Sequence, residues 1–269
     1  FLNEMIKQYS LYKSKLPSVS LWLAKTQAWK KKYPNLKPEY YKQEKYVNPY
    51  VFGEILSQEL KKDAIITSDT GAQLALLLQS FKLKQGQRLF SAFGNSPMGY
   101  ALPASIGASL AKNIGEVICI NGDGAFQLNA QELQTIMTQK LPIKIFIYSN
   151  GGYALIRQFV DMYLDERREA VDAHGGVGAP DFVKLGKVYG IKSIAITHNS
   201  QLRKKIRWVL KQKEAVLVDI AIDSEQKTEP KLAFGNPIED ATPLLSRKEF
   251  LSNMIIPVIG ADKNLTEAN

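Results

Sequence analysis

The sequence predicts an α/β fold with a mostly parallel sheet, and three observations carry that expectation. Two apolar runs, Glu116–Ile120 and Ile143–Tyr148, read as buried strands. Each ends in a short polar group with glycines beside it, Asn121-Gly122-Asp123-Gly124 for the first and Ser149-Asn150-Gly151-Gly152 for the second. Between them, Asn129 with Glu132 three residues on has the form of a capping box. Leu133, Ile136 and Met137 then share one helical face, and Leu141-Pro142 stops the helix. Strand, helix and strand in so short a span make a βαβ unit, whose crossover is right-handed and whose strands are parallel.

The remaining elements follow in chain order. Residues 1 to about 35 read as an amphipathic remnant ending at Tyr33-Pro34, with a polar linker through Glu44. Strands are expected at 64–68, 88–92, 116–121, 143–149, 192–197 and 215–222. Helices are expected at 48–61, 71–80, 99–112, 130–139, 181–189 and 199–212. Residues 160–180 are charged and glycine-rich (Asp161, Glu166, Arg167, Arg168, His174, Gly175, Gly176) and suit a mobile lid. A tail carries Pro237 through Phe250. The chain thus organises as 1–45, a remnant and linker; 46–225, a compact α/β domain; and 226–269, a C-terminal tail. There is no internal repeat and no low-complexity segment.

Composition narrows the function classes. With 269 residues and 45% hydrophobic side chains, the chain can bury one sizeable core. A single cysteine rules out an internal disulfide framework, and Cys119 lies inside an apolar strand, where packing is its expected role. No run approaches the 18 apolar residues of a membrane span. There is no signal-like N-terminus, and a chain opening at Phe1 is expected to have lost its true start, so a cytoplasmic enzyme is the default. The net charge of +9 invites a nucleic-acid partner, but the lysines cluster in Lys30-Lys31-Lys32, Lys204-Lys205, Lys211 and Lys213 on helix-like stretches that also hold apolar positions. These read as solvated helix faces able to attract anionic substrates. His174 and His198 have no partner pattern and read as surface residues.

The chemistry is concentrated at the two strand ends. Parallel strands end on one edge of the sheet, where ligands of open α/β folds bind. Neighbouring strands lie roughly 4.8 Å apart, so Asp123 and Asn150 can share one small cation. A carboxylate, an amide oxygen and a backbone carbonyl are hard ligands, suited to Mg²⁺ or Ca²⁺ rather than zinc, and Mg²⁺ is commonly completed by phosphate oxygens. Gly122 and Gly124 let the backbone approach a ligand, and nearby N–H groups can cradle an anion. The residues point to a metal-bridged diphosphate.

Gly122-Asp123-Gly124, then 25 residues, then Asn150 resembles the thiamine diphosphate (ThDP) motif of the acetolactate synthase-like enzymes. The likeness extends in order along the chain. Trp22 through Pro34 resembles the last helix of that family's middle domain, and Ala64 through Gln73 and Pro97 through Ala104 resemble two cofactor segments. Ala154-Leu155-Ile156-Arg157-Gln158 and Pro180 through Gly190 continue the match, so that most of residues 20 to 225 is covered.

The resemblance implies the family's C-terminal, diphosphate-binding domain: a three-layer α/β/α fold that binds ThDP and Mg²⁺. Thr70, Gly71, Ala72 and Gln73 match the loop that approaches the diphosphate, with glutamine where relatives often carry histidine. Ser96 would offer its backbone carbonyl to the aminopyrimidine. Met98 matches the bulky apolar residue beneath the cofactor's bend, which presses its two rings together so that an internal base is held at high effective molarity. Asp123 and Asn150 would ligate Mg²⁺ by side chain and Gly152 by its carbonyl. Gly124 and Ala125 would donate N–H groups to phosphate oxygens, and Gly122, Tyr153, Ala154 and Leu155 complete the cofactor set. Phe159 stands where acetolactate synthases often place a tryptophan that selects the second oxoacid.

In this family the glutamate that protonates the pyrimidine ring lies in a separate N-terminal domain of the neighbouring subunit, which no segment here resembles. The implied state is part of a longer chain or of a split enzyme, in a homodimer or homotetramer, with FAD an option in the full-length parent. The implied reaction decarboxylates a 2-oxoacid such as pyruvate and adds the two-carbon unit to an oxoacid or a ketosugar. A simple 2-oxoacid decarboxylase and a non-catalytic ThDP-binding module are the alternatives.

Overall fold

Strands buried on both faces carry near-continuous apolar runs rather than alternating ones, and the central strands here follow that rule apart from Lys144 and Asp219. The computed structural model describes residues 1–13 and 18–256. Residues 14–17 of the expected N-terminal remnant and 257–269 of the expected tail lie outside the described residues. Strands β1 (Ile65–Ser68), β2 (Arg88–Phe90), β3 (Val117–Gly122), β4 (Ile143–Ser149), β5 (Lys192–Ile196) and β6 (Val216–Ala221) form one sheet. The order is β2-β1-β3-β4-β6-β5, and every neighbouring pair is parallel. β3 and β4 pair directly from Val117↔Ile143 to Gly122↔Tyr148, so their polar ends lie side by side.

Two compact units divide the chain, Phe1–Pro34 and the part from Asn35 onward. The first holds α1 (Leu2–Tyr12) and α2 (Ser20–Lys32), and on α2 the rings of Trp22 and Trp29 meet edge to face at 5.9 Å. The second holds α3 (Pro38–Tyr41), α4 (Pro49–Glu59), α5 (Ala72–Ser80), α6 (Ala101–Ala111), α7 (Asp123–Gln127), α8 (Glu132–Thr138), α9 (Ala154–Tyr163), α10 (Phe182–Val188), α11 (Leu202–Lys211) and α12 (Arg247–Asn253). Alternate side chains of a strand point to opposite faces, and each face of the sheet has its own core. Ile118, Ile120, Phe146 and Val218 pack under Phe52 and Leu56 of α4, Leu76 and Leu77 of α5, and Ile206 and Val209 of α11. Cys119, Ile145, Ile147 and Leu217 pack under Leu102 and Ile106 of α6, Leu133 and Ile136 of α8, and Phe182 of α10. The result is a three-layer α/β/α sandwich. Cys119 is fully buried, which pushes its thiol up to about 12 and leaves it a packing residue.

Three local expectations are corrected. The capping box does not form: α8 begins after Gln131 without a side-chain cap, and the Glu132 N–H donates to the Asn129 backbone carbonyl at 3.0 Å. The Asn129 Oδ1 that would cap accepts from Gln131 Nε2 at 3.2 Å, while the Asn129 amide donates to the Gly99 carbonyl at 2.7 Å. Four helices were not foreseen, α3 within the expected linker, α7 directly after β3, α9 after β4 and α12 within the expected tail. The segment 160–180 is not a lid throughout. It opens with the last residues of α9, and Val171 and Asp172 are buried at 2% and 7% exposure. The chain after β6 folds back on the domain. Gln158 and Thr228 exchange two hydrogen bonds (3.1 and 3.0 Å), and Phe250 of α12 is buried.

Candidate active site at the carboxyl edge of the sheet

The order of the sheet reverses between β1 and β3, since β1 is followed by β2 on one side and β3 by β4 on the other. Helix α5, which follows β1, packs on one face, and α8, which follows β3, packs on the other. Such a switch point opens a crevice beyond the carboxyl ends of the strands. A cavity of about 420 Å³ lies there. Its walls are Thr70, Gly71, Ala72 and Gln73 after β1, Ser96 and Met98 before α6, Gly122, Asp123, Gly124 and Ala125 after β3, and Asn150, Gly152, Tyr153, Ala154, Leu155 and Ile156 after β4, with Ala170. Every residue assigned to the cofactor from sequence lines this one cavity, joined by Ile156 and Ala170. Phe159 does not line it. Its ring packs against Tyr163 (4.9 Å) and Phe234 (6.0 Å) in an aromatic cluster with the chain beyond β6.

At one end of the cavity, Asp123 ties two strand ends together. Its Oδ1 accepts the N–H of Gly124 (2.8 Å), and its Oδ2 accepts those of Asn150 (3.0 Å), Gly151 (2.8 Å) and Gly152 (3.1 Å). The positive φ of Gly151 (77°) and Gly152 (140°) lets the loop turn three consecutive N–H groups onto one oxygen. Burial pushes the Asp123 carboxyl above its ordinary value, and the four N–H bonds oppose this without cancelling it. Beside it, Asn150 is 6% exposed and its Oδ1 is buried without a hydrogen-bond partner. A buried amide oxygen without a donor is costly unless a ligand completes it. Among the described residues, no group of three or more His, Cys, Asp or Glu could hold a metal ion. A cation at this end would therefore take carboxylate, amide and carbonyl oxygens and complete its shell from a bound anion, a set that fits Mg²⁺.

The other end presents Met98, 43% exposed, and Ser96, a non-glycine residue held at φ 48°. Strained positions of this kind concentrate at ligand sites. The hydroxyls of Thr70 and Ser96 are hydrogen-bonded, and the Gln73 amide donates to the Thr70 carbonyl. Asp69, to which no role was assigned from sequence, proves to organise this end. Its Oδ1 accepts from Thr70 N (2.9 Å) and Gly99 N (3.1 Å), and its Oδ2 accepts from Ala101 N (2.8 Å). The carboxylate thus joins the end of β1 to the start of α6, with Met98 between, and burial raises its pKa against those three bonds. The available signal was an aspartate directly after a buried strand, the same pattern that marks Asp123.

Residues 69–220 match the family model described as "Thiamine pyrophosphate enzyme, C-terminal TPP binding domain". The chain belongs to the thiamine pyrophosphate enzyme family. Thiamine pyrophosphate is ThDP, and the matched span runs from Asp69 through the strand ends that line the cavity to β6. This ThDP-enzyme domain is acetolactate synthase-like. It is 34% identical over 234 residues to the acetolactate synthase large subunit of Cyanidium caldarium, covering 86% of this chain and 38% of the relative. It is 33% identical over 238 residues to that of Porphyra purpurea (87% and 38%) and 31% identical over 184 residues to the acetolactate synthase of Arthrospira platensis (68% and 31%). The chain therefore spans about two fifths of the first two relatives' length. Among the described residues, no helix of this ThDP-enzyme domain is long and apolar enough to cross a membrane.

Proposed function

We propose that the cavity holds ThDP through Mg²⁺ and that the chain is the diphosphate-binding part of an acetolactate synthase-like enzyme. The parent would decarboxylate a 2-oxoacid, pyruvate first among them, and transfer the two-carbon unit to a carbonyl acceptor, an oxoacid or a ketosugar. The observation that carries this reading is the buried, unpartnered Oδ1 of Asn150 beside Asp123, in a cavity that presents Met98 at its other end.

The residues divide the work by chemistry. Asp123 Oδ1, which accepts a single N–H, together with Asn150 Oδ1 and the Gly152 carbonyl would hold the cation. The N–H groups of Gly124 and Ala125 would meet phosphate oxygens, while Thr70, Gly71, Ala72 and Gln73 would line the loop that approaches the diphosphate, with Thr70 reaching to Ser96. Ser96 would present its carbonyl to the aminopyrimidine, and Met98 would keep the two rings bent. ThDP, once bound, supplies a carbon nucleophile and takes up the electron pair left when CO₂ departs. Ala154, Leu155 and Ile156 add apolar side chains to the cavity wall, which would favour a neutral product of charge loss over a charged oxoacid. Residues 1–45 are read as the end of a preceding domain, 46–225 as the cofactor domain and 226–269 as a tail. The proton relay to the pyrimidine would come from a second subunit or domain in a homodimer or homotetramer.

The test supplies the chain with ThDP, Mg²⁺ and the N-terminal domains of its parent enzyme, then measures cofactor binding and products from pyruvate. Metal-dependent ThDP binding and a carboligated product are expected. Free acetaldehyde without carboligation would replace the reading by a simple decarboxylase. Absence of ThDP binding under these conditions would overturn it.

A further inference from the structure

Behind the Gly151-Gly152 loop lies a buried charged cluster that none of the roles above uses. Arg157, in the first turn of α9, is 3% exposed, and its guanidinium reaches three separate segments. Nε donates to Asp172 Oδ2 (3.4 Å), Nη2 donates to the Gly151 carbonyl (3.4 Å), and Nη1 donates to the Ser224 carbonyl beyond β6. Asp172 in turn accepts the N–H groups of His174 (3.1 Å) and Gly175 (3.4 Å) through its other oxygen. Arg168 extends the cluster outward, with both oxygens of Asp161 at 2.8 Å and Glu225 at 3.2 and 3.3 Å.

The same two segments are joined along the backbone. Gly152 and Asp172 form an antiparallel bridge, and Tyr153 N donates to the Val171 carbonyl at 2.9 Å. The contact is close enough that a Cβ on Gly152 would stand 2.3 Å from the Val171 carbonyl oxygen. A guanidinium is expensive to bury unless its planar donors find fixed acceptors. Here the acceptors are the Gly151 carbonyl, Asp172 and the Ser224 carbonyl, and residues 171–172 lie directly against the loop. The same loop supplies Gly151 N and Gly152 N to Asp123 Oδ2, so its position sets the orientation of that carboxylate.

We propose that Arg157 is a positioning residue: paired with Asp172, it pins the Gly151-Gly152 loop against residues 170–175 and so fixes the geometry of the cation end of the cavity. The pin itself stands on the contacts above; its effect on cation binding rests on the ThDP–Mg²⁺ reading. Groups that hold metal ligands in place from behind typically govern affinity by 10- to 100-fold.

The test uses the 269-residue chain and three variants, Arg157→Met, Arg157→Lys and Asp172→Asn, with two measurements. In hydrogen exchange without ligands, Arg157→Met should speed the amides of residues 151–153 and 170–177 by about tenfold, with Ile145–Ile147 in the core of β4 unchanged. In titrations of Mg²⁺ at fixed ThDP, the half-saturating Mg²⁺ concentration should rise about tenfold in Arg157→Met and Asp172→Asn. Arg157→Lys keeps the charge without the fork and should recover part of both effects. Should Arg157→Met fail to fold, the two milder variants carry the same comparison. Unchanged exchange at 151–153, or exchange that rises equally in β4, overturns the proposal, as does an unaltered Mg²⁺ half-saturation where the wild type binds. If loop exchange rises but the wild type binds no ThDP with Mg²⁺ even when joined to its missing domains, the pin stands and the ThDP reading falls.

Discussion

Gly124 and Gly152 both line the cavity, yet an added methyl group would meet different things at each. At Gly124 a Cβ would lie 2.2 Å from Cε1 of Tyr153, a side chain that can rotate away into the space it borders. At Gly152 the obstacle is backbone, the Val171 carbonyl oxygen at 2.3 Å, and φ of +140° already disfavours any side chain. Gly124→Ala should therefore cost ~1 kcal/mol of stability while displacing the Tyr153 ring into the cavity. Gly152→Ala should cost ~3 kcal/mol or more, because overpacking and backbone strain add. Urea unfolding of the two variants, with ThDP titration alongside, checks both halves. Gly124→Ala should lose cofactor affinity out of proportion to its stability, and a larger stability loss at Gly124 than at Gly152 would contradict the account. The sequence made these glycines conspicuous as part of two polar strand ends. What it could not show was Tyr153 or Val171 lying against them, since those contacts depend on α9 and on a segment that returns from beyond it.

At the scale of elements, β1 and β3 end alike, each in a buried aspartate that gathers backbone N–H groups from another part of the chain. Asp69→Asn isolates the first of these ties. Asparagine keeps the shape and leaves one oxygen to accept from Thr70 and Gly99, but its amide would set a donor against the N–H of Ala101. A loss of ~1–3 kcal/mol is expected, together with weaker ThDP binding, because Met98 lies on the tethered segment. Stability and affinity both equal to wild type would show that Asp69 ties nothing. The central strands were legible because burial on both faces leaves a nearly continuous apolar run, interrupted in β4 by Lys144. Helix α9 was less so, since its inner face includes Arg157 and Gln158, polar residues whose partners Ser224 and Thr228 lie more than sixty residues away. Asn129 and Glu132 had the right spacing for a cap, yet the fold holds the Asn129 side chain between the Gly99 carbonyl and the Gln131 amide, and Glu132 accepts from the Thr135 hydroxyl instead. Local patterns held where an element's own neighbours satisfy it and failed where distant backbone competes for the same side chain.

The whole molecule separates its two edges. The carboxyl edge of the sheet carries the cavity, and the amino edge carries a buried cation in a chain whose net charge is +9. Lys144, at the start of β4, is fully buried; its ammonium donates to the Gln212 carbonyl at 2.9 Å and to that of Glu214, with Glu116 3.9 Å away. Burial holds its pKa below the ordinary 10.5; Glu116 and Glu214 oppose that shift without cancelling it. Between the lowered folded value and 10.5, the unfolded chain binds more protons than the folded one, so the Lys144 contribution to stability rises with pH across that window and is flat below it. Lys144→Met removes this titration and leaves two carbonyls without their donor, a cost of ~1–3 kcal/mol. The stability difference between wild type and variant should consequently widen from neutral pH toward pH ~10, as read from urea midpoints at matched ionic strength. All other titrating groups are common to both proteins, so parallel pH profiles would mean that Lys144 titrates alike in the folded and unfolded chain. ThDP binding should be retained in the variant, because Lys144 and its partners Gln212, Glu214 and Glu116 are not among the residues that line the cavity.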